Sequence, residues 1–443
     1  MKTVCAVLFI SLFFCPSAVS GAEKTVRLTP LEVVLAARKM IDENQTDAAR
    51  ILLTRAEFAP SEIEMERRYL LGVLAVKTGR IDEAILIYRD LLNKNPRLAK
   101  IRIELALAYM ARKSWYLADY HLRLAAAEKL PPGIDEKIGY LRAVVRRNKN
   151  WNIWFSAGIA PDNNVNNSQT GTQCIQTSFG IFCNTLEDPE KSVGFNIAGG
   201  GHYEFRFDDR WRLRVSAGVY SSTYGDNDYD DLFYFAAGGP KYVWENGEVW
   251  TAVKGTRRRY GHKAYNSSAG GLIQAGYDIS RRVFAAVSAE FAAVSYDQYG
   301  SVLNGSVHSG GIKTFIGLNS ASYLVLRAAG EREKTKNRMY ANRKWTAGIG
   351  AGAELPLGFS VYIEPSVQWV RYDRPAWFVR RLGFEQIREK DRITRWAFRF
   401  SNKNMSLFGV VPEFTLAYTD KRSNVWQKEY RKMTLELNFV QNF

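Results

Sequence analysis

The sequence predicts an α-helical repeat domain followed by an antiparallel transmembrane β-barrel of about 14 strands. Three observations carry that expectation. Small and large residues between Leu71 and Pro131 echo each other at a period of about 34. From Trp151 onward apolar and polar residues alternate in strict twos. The chain ends on "KMTLELNFVQNF", where Met433, Leu435, Leu437, Phe439 and Phe443 share one parity, as in a final strand that closes a sheet.

The first residues, "MKTVCAVLFISLFFCPSAVSGAEK", read as a secretory leader, residues 1–22. Lys2 gives a positive start, Val4 to Cys15 an apolar run, and Ala18-Val19-Ser20 small residues at cleavage spacing, with cutting expected between residues 20 and 23. The run is too short for a permanent anchor. Phe13 and Phe14 stand before Cys15 where lipid modification requires small residues. After residue 20 no stretch reaches the roughly 18 apolar residues of a spanning helix, although 13% of residues are aromatic and mean hydropathy is −0.26.

Two of the four cysteines fall in the leader. Cys174 and Cys183 remain, in a polar segment of an exported chain, and a loop-stapling disulfide is expected; metal binding would need further ligands, and that loop has no histidine. The net charge of +16 could serve nucleic acid, but export points instead to a phosphate-rich membrane surface.

Residues 23–150 form the first domain, helical from 29. Leu71, Gly72, Ala75, Ala84, Tyr88, Leu91 and Pro96 are echoed by Leu105, Ala106, Tyr109, Ala118, Leu122 and Ala125, with Pro131 one place late. These are the small and large positions of a tetratricopeptide repeat, whose helix pairs stack small against large. A degenerate earlier unit aligns Ala49 with Ala84, and a closing helix follows near Ile134 to Arg147. An ordinary helical bundle is the competing reading. Resemblance to the repeat family implies a concave groove lined by the first helix of each pair: Glu66, Tyr69, Val73 and Lys77, then Lys100, Ile103, Leu107 and Met110. Such a groove binds peptides or proteins and does no chemistry.

Residues 151–443 form the second domain. Trp151, Ile153, Phe155 and Ile159 alternate with Asn152, Trp154, Ser156 and Gly158. The pattern recurs at Val193 to Tyr203, Trp211 to Val219, Trp345 to Leu355, Phe359 to Trp369 and Phe408 to Tyr418. Each strand and connection takes roughly 21 residues, the spacing of outer-membrane barrels. "FDDR", "ENG", "SRR", "NSAS", "PLG" and "NKNM" are tight turns for the periplasmic side; 161–191, 222–231 and 373–391 are long loops for the outside. Only helices and closed barrels satisfy their backbone in lipid, so the last strand is expected to pair with the first, near Trp151 and Ile153. A soluble β-sandwich would leave the outward aromatic rows unexplained.

Little points to catalysis. The four histidines are His121, His202, His262 and His308, and no motif sets a nucleophile beside an oriented partner. No cofactor is expected. "GDNDYDD" lacks trustworthy ligand spacing and reads as a solvated acidic loop. The inward charges, Glu204, Arg206, Arg212, Arg214, Glu364, Arg395 and Arg399, read as salt-bridged barrel wall.

The leader, the short repeat domain, "GIAPDNNVNN" on leaving the first strand, and the barrel together resemble the surface lipoprotein assembly modulators, outer-membrane proteins of Gram-negative bacteria. The resemblance covers nearly the whole mature chain. It implies a barrel in the outer membrane with its N-terminal domain in the periplasm. It also implies a surface lipoprotein or haemophore as client, carried from the periplasm to the cell surface. Other implied partners are outer-membrane lipid and lipopolysaccharide, the barrel assembly machinery and periplasmic chaperones, with no nucleic acid and a monomeric barrel. Fourteen strands should leave a narrow lumen, so clients would pass unfolded, their lipid sliding out between the first and last strands. The rival expectations are an exopolysaccharide export porin, which also joins helical repeats to a barrel, and a diffusion porin, which leaves the repeats without a role.

Overall fold

The computed structural model describes residues 28–55, 62–177, 180–380, 383–406 and 410–442. The expected leader and Phe443 lie outside these residues. The chain forms two compact units, the first ending at Leu122 and the second beginning at Arg123.

The first unit consists of α1 (Pro30–Asp42), α2 (Thr46–Arg55), α3 (Glu62–Lys77), α4 (Ile81–Lys94), α5 (Ala99–Ala111) and the start of α6 (Trp115–Ala125). Thr29 opens α1 with a capping box: its hydroxyl accepts from the Glu32 amide, and Glu32 returns the bond to the Thr29 amide at 2.7 Å. Gly79 ends α3 in the left-handed region, φ 76°, where a side chain would be strained. Val33, Ala37, Ile41, Leu52, Leu53, Leu70 and Leu74 build one shared core. The echo seen in the sequence has a packing cause. A Cβ on Gly72 would stand 2.5 Å from the Tyr88 ring, so only glycine lets α4 approach α3 this closely. One period later, Ala106 and Leu122 occupy the same places, both fully buried.

The second unit begins with the end of α6 and α7 (Pro132–Asn148). It continues through β1 (Trp151–Asp162), a hairpin of β2 (Thr172–Thr177) and β3 (Gly180–Thr185), β4 (Ser192–Arg206), β5 (Trp211–Thr223), β6 (Asp231–Trp244), β7 (Gly247–Tyr260), β8 (Lys263–Asp278) and β9 (Val283–Tyr296). After these come β10 (Gly305–Asn319), β11 (Ser322–Thr335), β12 (Asn342–Glu354), β13 (Phe359–Tyr372), a second hairpin of β14 (Ala376–Arg380) and β15 (Gly383–Ile387), β16 (Lys390–Asn402), β17 (Val411–Ser423) and β18 (Tyr430–Asn442). All strands except the two hairpins join one closed barrel of 14 antiparallel strands, in which β1 pairs with both β4 and β18.

Alternation built this wall. Ile153, Phe155, Ile197, Val215, Ile273, Ile349, Ile363 and Phe398 all stand exposed on its outer face. A soluble protein would not expose a continuous apolar belt of this kind; hydrocarbon solvates it. The turns anticipated at one end are all present, and the long connections leave the other, where β7–β8 is a tight exception closed by Gly261 and His262 at positive φ. Among the described residues no helix is long and apolar enough to cross a membrane.

The last strand pairs with the first, as expected, and register fixes which residues meet. Leu437 lies opposite Ile159 and Phe439 opposite Ala157, whereas Trp151 and Ile153 lie opposite Tyr203 and Gly201 of β4. The strands of a closed barrel are staggered, so the start of β1 is displaced from the middle of β18.

Candidate functional site

The seam between β1 and β18 differs from every other strand boundary of the barrel. Seven residue pairs hold it among the described residues, from Trp154 opposite Asn442 to Asp162 opposite Thr434. Twelve hold β1 to β4. The seam ladder skips Ala160 and Pro161, and proline has no amide proton to give. At Gly158 the strands run close, as at several other glycines of the wall: a Cβ there would lie 2.2 Å from the Leu437 carbonyl oxygen.

Above this thin ladder sits a polar clasp made by "PDNN". Asp162 accepts from Lys432 Nζ at 2.6 Å. The Asn163 Oδ1 accepts from the Met433 amide at 2.7 Å, while the Asn163 amide donates to the Met433 carbonyl at 3.3 Å. Asn164 Nδ2 donates to the carbonyls of Arg431, at 2.8 Å, and Ser168, at 2.7 Å. Asp162 and Asn164 are buried. The stretch that carried the family resemblance is therefore the element that ties the first strand to the last. Nothing in the sequence around these residues reveals that role, since their partners lie about 270 positions away.

The lumen face is charged and internally paired. Glu204 accepts from Arg212 and Lys241, each at 2.8 Å, and all three are buried. Farther along the wall Lys254 meets Glu290 at 2.8 Å and Arg327 meets Glu364 at 3.3 Å. A cavity of ≈ 390 Å³ opens among Arg214, Trp250, Gln274, Phe284, Lys313 and Arg327, with the Arg214 guanidinium 4.6 Å from the Trp250 ring centre. Of the charges expected to face inward, Glu204, Arg212 and Glu364 have these ion-pair partners, and Arg399 reaches Glu413 at 4.0 Å. Among the described residues no cluster of three or more His, Cys, Asp or Glu could hold a metal. In the acidic loop Asp230 accepts from the Tyr224 amide at 2.8 Å, and Asp226 accepts from the Asp228 amide at 3.0 Å.

Residues from Arg123 onward dock on the short-turn end of the barrel. Asp278, at the end of β8, gathers Arg123 at 3.3 Å together with Arg142 and Arg146 of α7. Arg281 pairs with Asp135. Glu128 accepts from the Ser320 amide at 2.9 Å. From the wall, Arg212 donates to the carbonyls of Arg147, at 2.9 Å, and Lys149, at 3.4 Å, which satisfies the end of α7.

In the helical unit, three of the eight groove candidates form a connected stripe. Glu66 pairs with Arg38 and lies 3.8 Å from Lys100, whose ammonium stands 3.7 Å from the Tyr69 ring centre. Burial, then the charges of Glu104 and Glu66, push the Tyr69 hydroxyl far above its ordinary pKa, so it stays a neutral donor. Lys77 instead donates to the Ile41 carbonyl at 2.7 Å. Val73 packs partly against the core, Leu107 and Met110 are half-buried, and Ile103 is buried at 7% exposure. In the β2–β3 hairpin Cys174 and Cys183 are opposite each other and joined by a disulfide.

Comparison with known proteins bears on the whole barrel. The family model described as "Surface lipoprotein assembly modifier" matches residues 151–443. Surface lipoprotein assembly modifier 1 of Neisseria meningitidis serogroup B is 23% identical over 414 residues, covering 90% of this chain and 80% of that one. Surface lipoprotein assembly modifier of Pasteurella multocida is 22% identical over 398 residues, covering 84% and 75%. Among solved structures, the outer membrane channel DcaP of Acinetobacter baumannii matches 66% of this chain and 97% of its own, with TM-score 0.39 and 6% identity. A Pseudomonas aeruginosa FadL homologue matches 69% and 92%, with TM-score 0.37 and 9% identity.

Proposed function

Because this chain belongs to the surface lipoprotein assembly modifier family, we propose that it is the outer-membrane translocon that brings lipoproteins from the periplasm to the cell surface. The observation that carries this reading is the family match across the entire closed barrel, 151–443. The exopolysaccharide porin is not favoured, since the relatives that match most of the chain are lipoprotein assembly modifiers. The reading assigns no catalytic step.

The mechanism divides a lipoprotein into two problems. Its polypeptide is polar and must avoid hydrocarbon; a wall lined by Glu204, Arg212, Lys254, Glu290, Arg327 and Glu364 offers it a polar path. A barrel of this strand number leaves little room between those side chains, so the client passes as an unfolded segment. Its acyl chains must stay out of water. The seam supports a lateral route for them, because among the described residues separating β1 from β18 breaks fewer ladder pairs than any other opening. The clasp of Asp162, Asn163 and Asn164 then recloses the sheet from the outer end.

The helical unit, in this reading, captures clients. Its paired helices are tetratricopeptide repeats, with Glu66, Tyr69 and Lys100 at the centre of a groove and Val73, Lys77, Ile103, Leu107 and Met110 around them. The client is a lipoprotein or a related secreted haemophore. Co-expression with candidate lipoproteins, scored by protease access on intact cells, tests the whole reading. Surface exposure that depends on this chain supports it, and exposure that is the same without the chain refutes it.

A further inference from the structure

The outer rim of the barrel carries a feature that delivery of clients does not use. At the long-loop end, cross-strand register places His308, Arg332, Arg343, Arg371 and Lys390 side by side on β10, β11, β12, β13 and β16, each directly opposite the next. Strand parity points all five outward. Each shares its face with an exposed apolar residue of the belt farther down its own strand: Ile312, Leu326, Ile349, Ile363 and Phe398.

Like charges placed directly opposite in a sheet repel at roughly 5 Å and destabilise it. Here one carboxylate relieves the row: Asp373 accepts from Arg332 at 2.7 Å. Arg343, Arg371 and Lys390 have no salt-bridge partner among the described residues. One step toward the membrane, Trp345 lies opposite Trp369, Trp369 opposite Arg392, and Arg392 opposite Arg422. Trp345 and Trp369 are both exposed, the position of interfacial aromatic anchors.

Two surface cavities follow this double row. One of ≈ 600 Å³ lies among His308, Arg332, Arg343 and Trp345, over a floor of Gly310 and Gly330. The other, ≈ 350 Å³, lies among Trp369, Arg371, Lys390, Arg392 and Arg422. The carboxylates that also border them are already engaged, Glu331 with Lys344 at 2.6 Å and Asp391 with Lys421 at 2.9 Å. The opposite side of the barrel is different. At the same end the outward positions of β1, β4, β5 and β6 are Pro161, Val193, Ser221 and Leu232, all uncharged.

We propose that this one-sided rim on β10–β17 is a binding site for the phosphate-bearing headgroup of an outer-leaflet glycolipid. Arginine forks match phosphate oxygens in pairs, and a shared anion turns the repulsive row into a bridged one. The tryptophans and the glycine floor receive the upper part of the acyl chains. The source is a lipid, because the cations sit directly above the apolar belt, where a free anion would gain nothing from Trp345 or Trp369. The proposal is independent of client delivery and rests on the barrel standing in the outer membrane.

The test uses the full chain in nanodiscs of zwitterionic lipid. The temperature at which it loses its heat-modifiable gel form is followed while lipid A, with both its phosphates, is added. The dephosphorylated lipid and inorganic phosphate serve as comparators. The proposal expects stabilisation by the phosphorylated lipid alone. Equal stabilisation by the dephosphorylated lipid, or by inorganic phosphate, overturns it, and both comparisons need only the unaltered protein.

Arg343→Gln with Arg371→Gln should weaken the lipid effect about tenfold or more. Arg343→Lys with Arg371→Lys, which keeps charge but loses the fork, should fall between. The control Arg257→Gln with Arg259→Gln, on β7, should bind as the unaltered chain does. An equal loss in the control means a diffuse field rather than a site, and no loss in the first variant places the lipid elsewhere; either result sinks the proposal.

Discussion

Locking the seam separates lateral exit from passage through the lumen. Ile159 and Leu437 are directly opposite across β1 and β18 and both face outward. Facing residues of an antiparallel pair have Cα atoms about 4.5–5.5 Å apart, within the span a disulfide accepts. Ile159→Cys with Leu437→Cys should therefore oxidise without distorting the wall or occupying the lumen. An antiparallel ladder supplies on average one hydrogen bond per residue pair. At about 1 kcal/mol net each, the seven pairs of the seam hold roughly 7 kcal/mol, against roughly 12 for the twelve pairs between β1 and β4. The ~5 kcal/mol difference favours opening at the seam by more than a thousandfold. Hydrocarbon raises the cost of every broken bond and so widens the gap.

A covalent link removes that opening altogether. The assay is surface display of a lipidated client on intact cells, read alongside the cross-linked fraction on non-reducing gels. Display should fall in proportion to cross-linking and return on reduction. A client stripped of its lipidated cysteine should still be exported. Leu326→Cys with Ile349→Cys, facing each other across β11 and β12, provides the matched control and should deliver normally. A fully locked seam that still displays the lipidated client refutes the lateral route and leaves the lumen as the sole path.

Three other outcomes follow from the packing. Gly72→Ala drives a methyl into the Tyr88 ring and should destabilise the helical unit by about 1–3 kcal/mol, seen as an earlier loss of the helical circular dichroism signal. Tyr88→Phe should be neutral or stabilising in the same melt, because the Tyr88 hydroxyl is buried without a partner. Asp278→Asn leaves Arg123, Arg142 and Arg146 without their shared carboxylate, a loss of about 3–5 kcal/mol for a buried cluster; limited proteolysis should then cut between residues 123 and 149 while the barrel stays heat-modifiable.

The barrel was legible because a strand writes its period locally. Ile153, Phe155 and Ile159 announce an outward face without knowledge of any neighbour, and the turn residues supply the breaks. The helical pairing was legible for a similar reason, since Gly72 and Tyr88 sit on consecutive helices, α3 and α4. What stayed hidden depends on which distant residues meet. Nothing near Leu437 says that its partner is Ile159 rather than Ile153, because barrel stagger is a property of the closed ring. The three arginines on Asp278 were equally silent: Arg146, beside Arg147, looks like the ordinary basic end of a helix.

The clasp shows how such hidden contacts bear on function. A seam held by a full ladder would close the barrel well and open rarely; a seam held by a short ladder alone would leak. The gap at Ala160 and Pro161 thins the ladder, and Asp162, Asn163 and Asn164 restore closure with side-chain bonds at one end. Those bonds lie at the edge of the sheet, where water can replace them as they break, unlike ladder bonds in hydrocarbon. Asp162→Ala with Asn164→Ala should consequently lower the barrel's unfolding temperature only modestly, while raising passage of small solutes and disturbing lipidated-client display. A double variant with unchanged permeability and unchanged display would show that the clasp is not part of the gate.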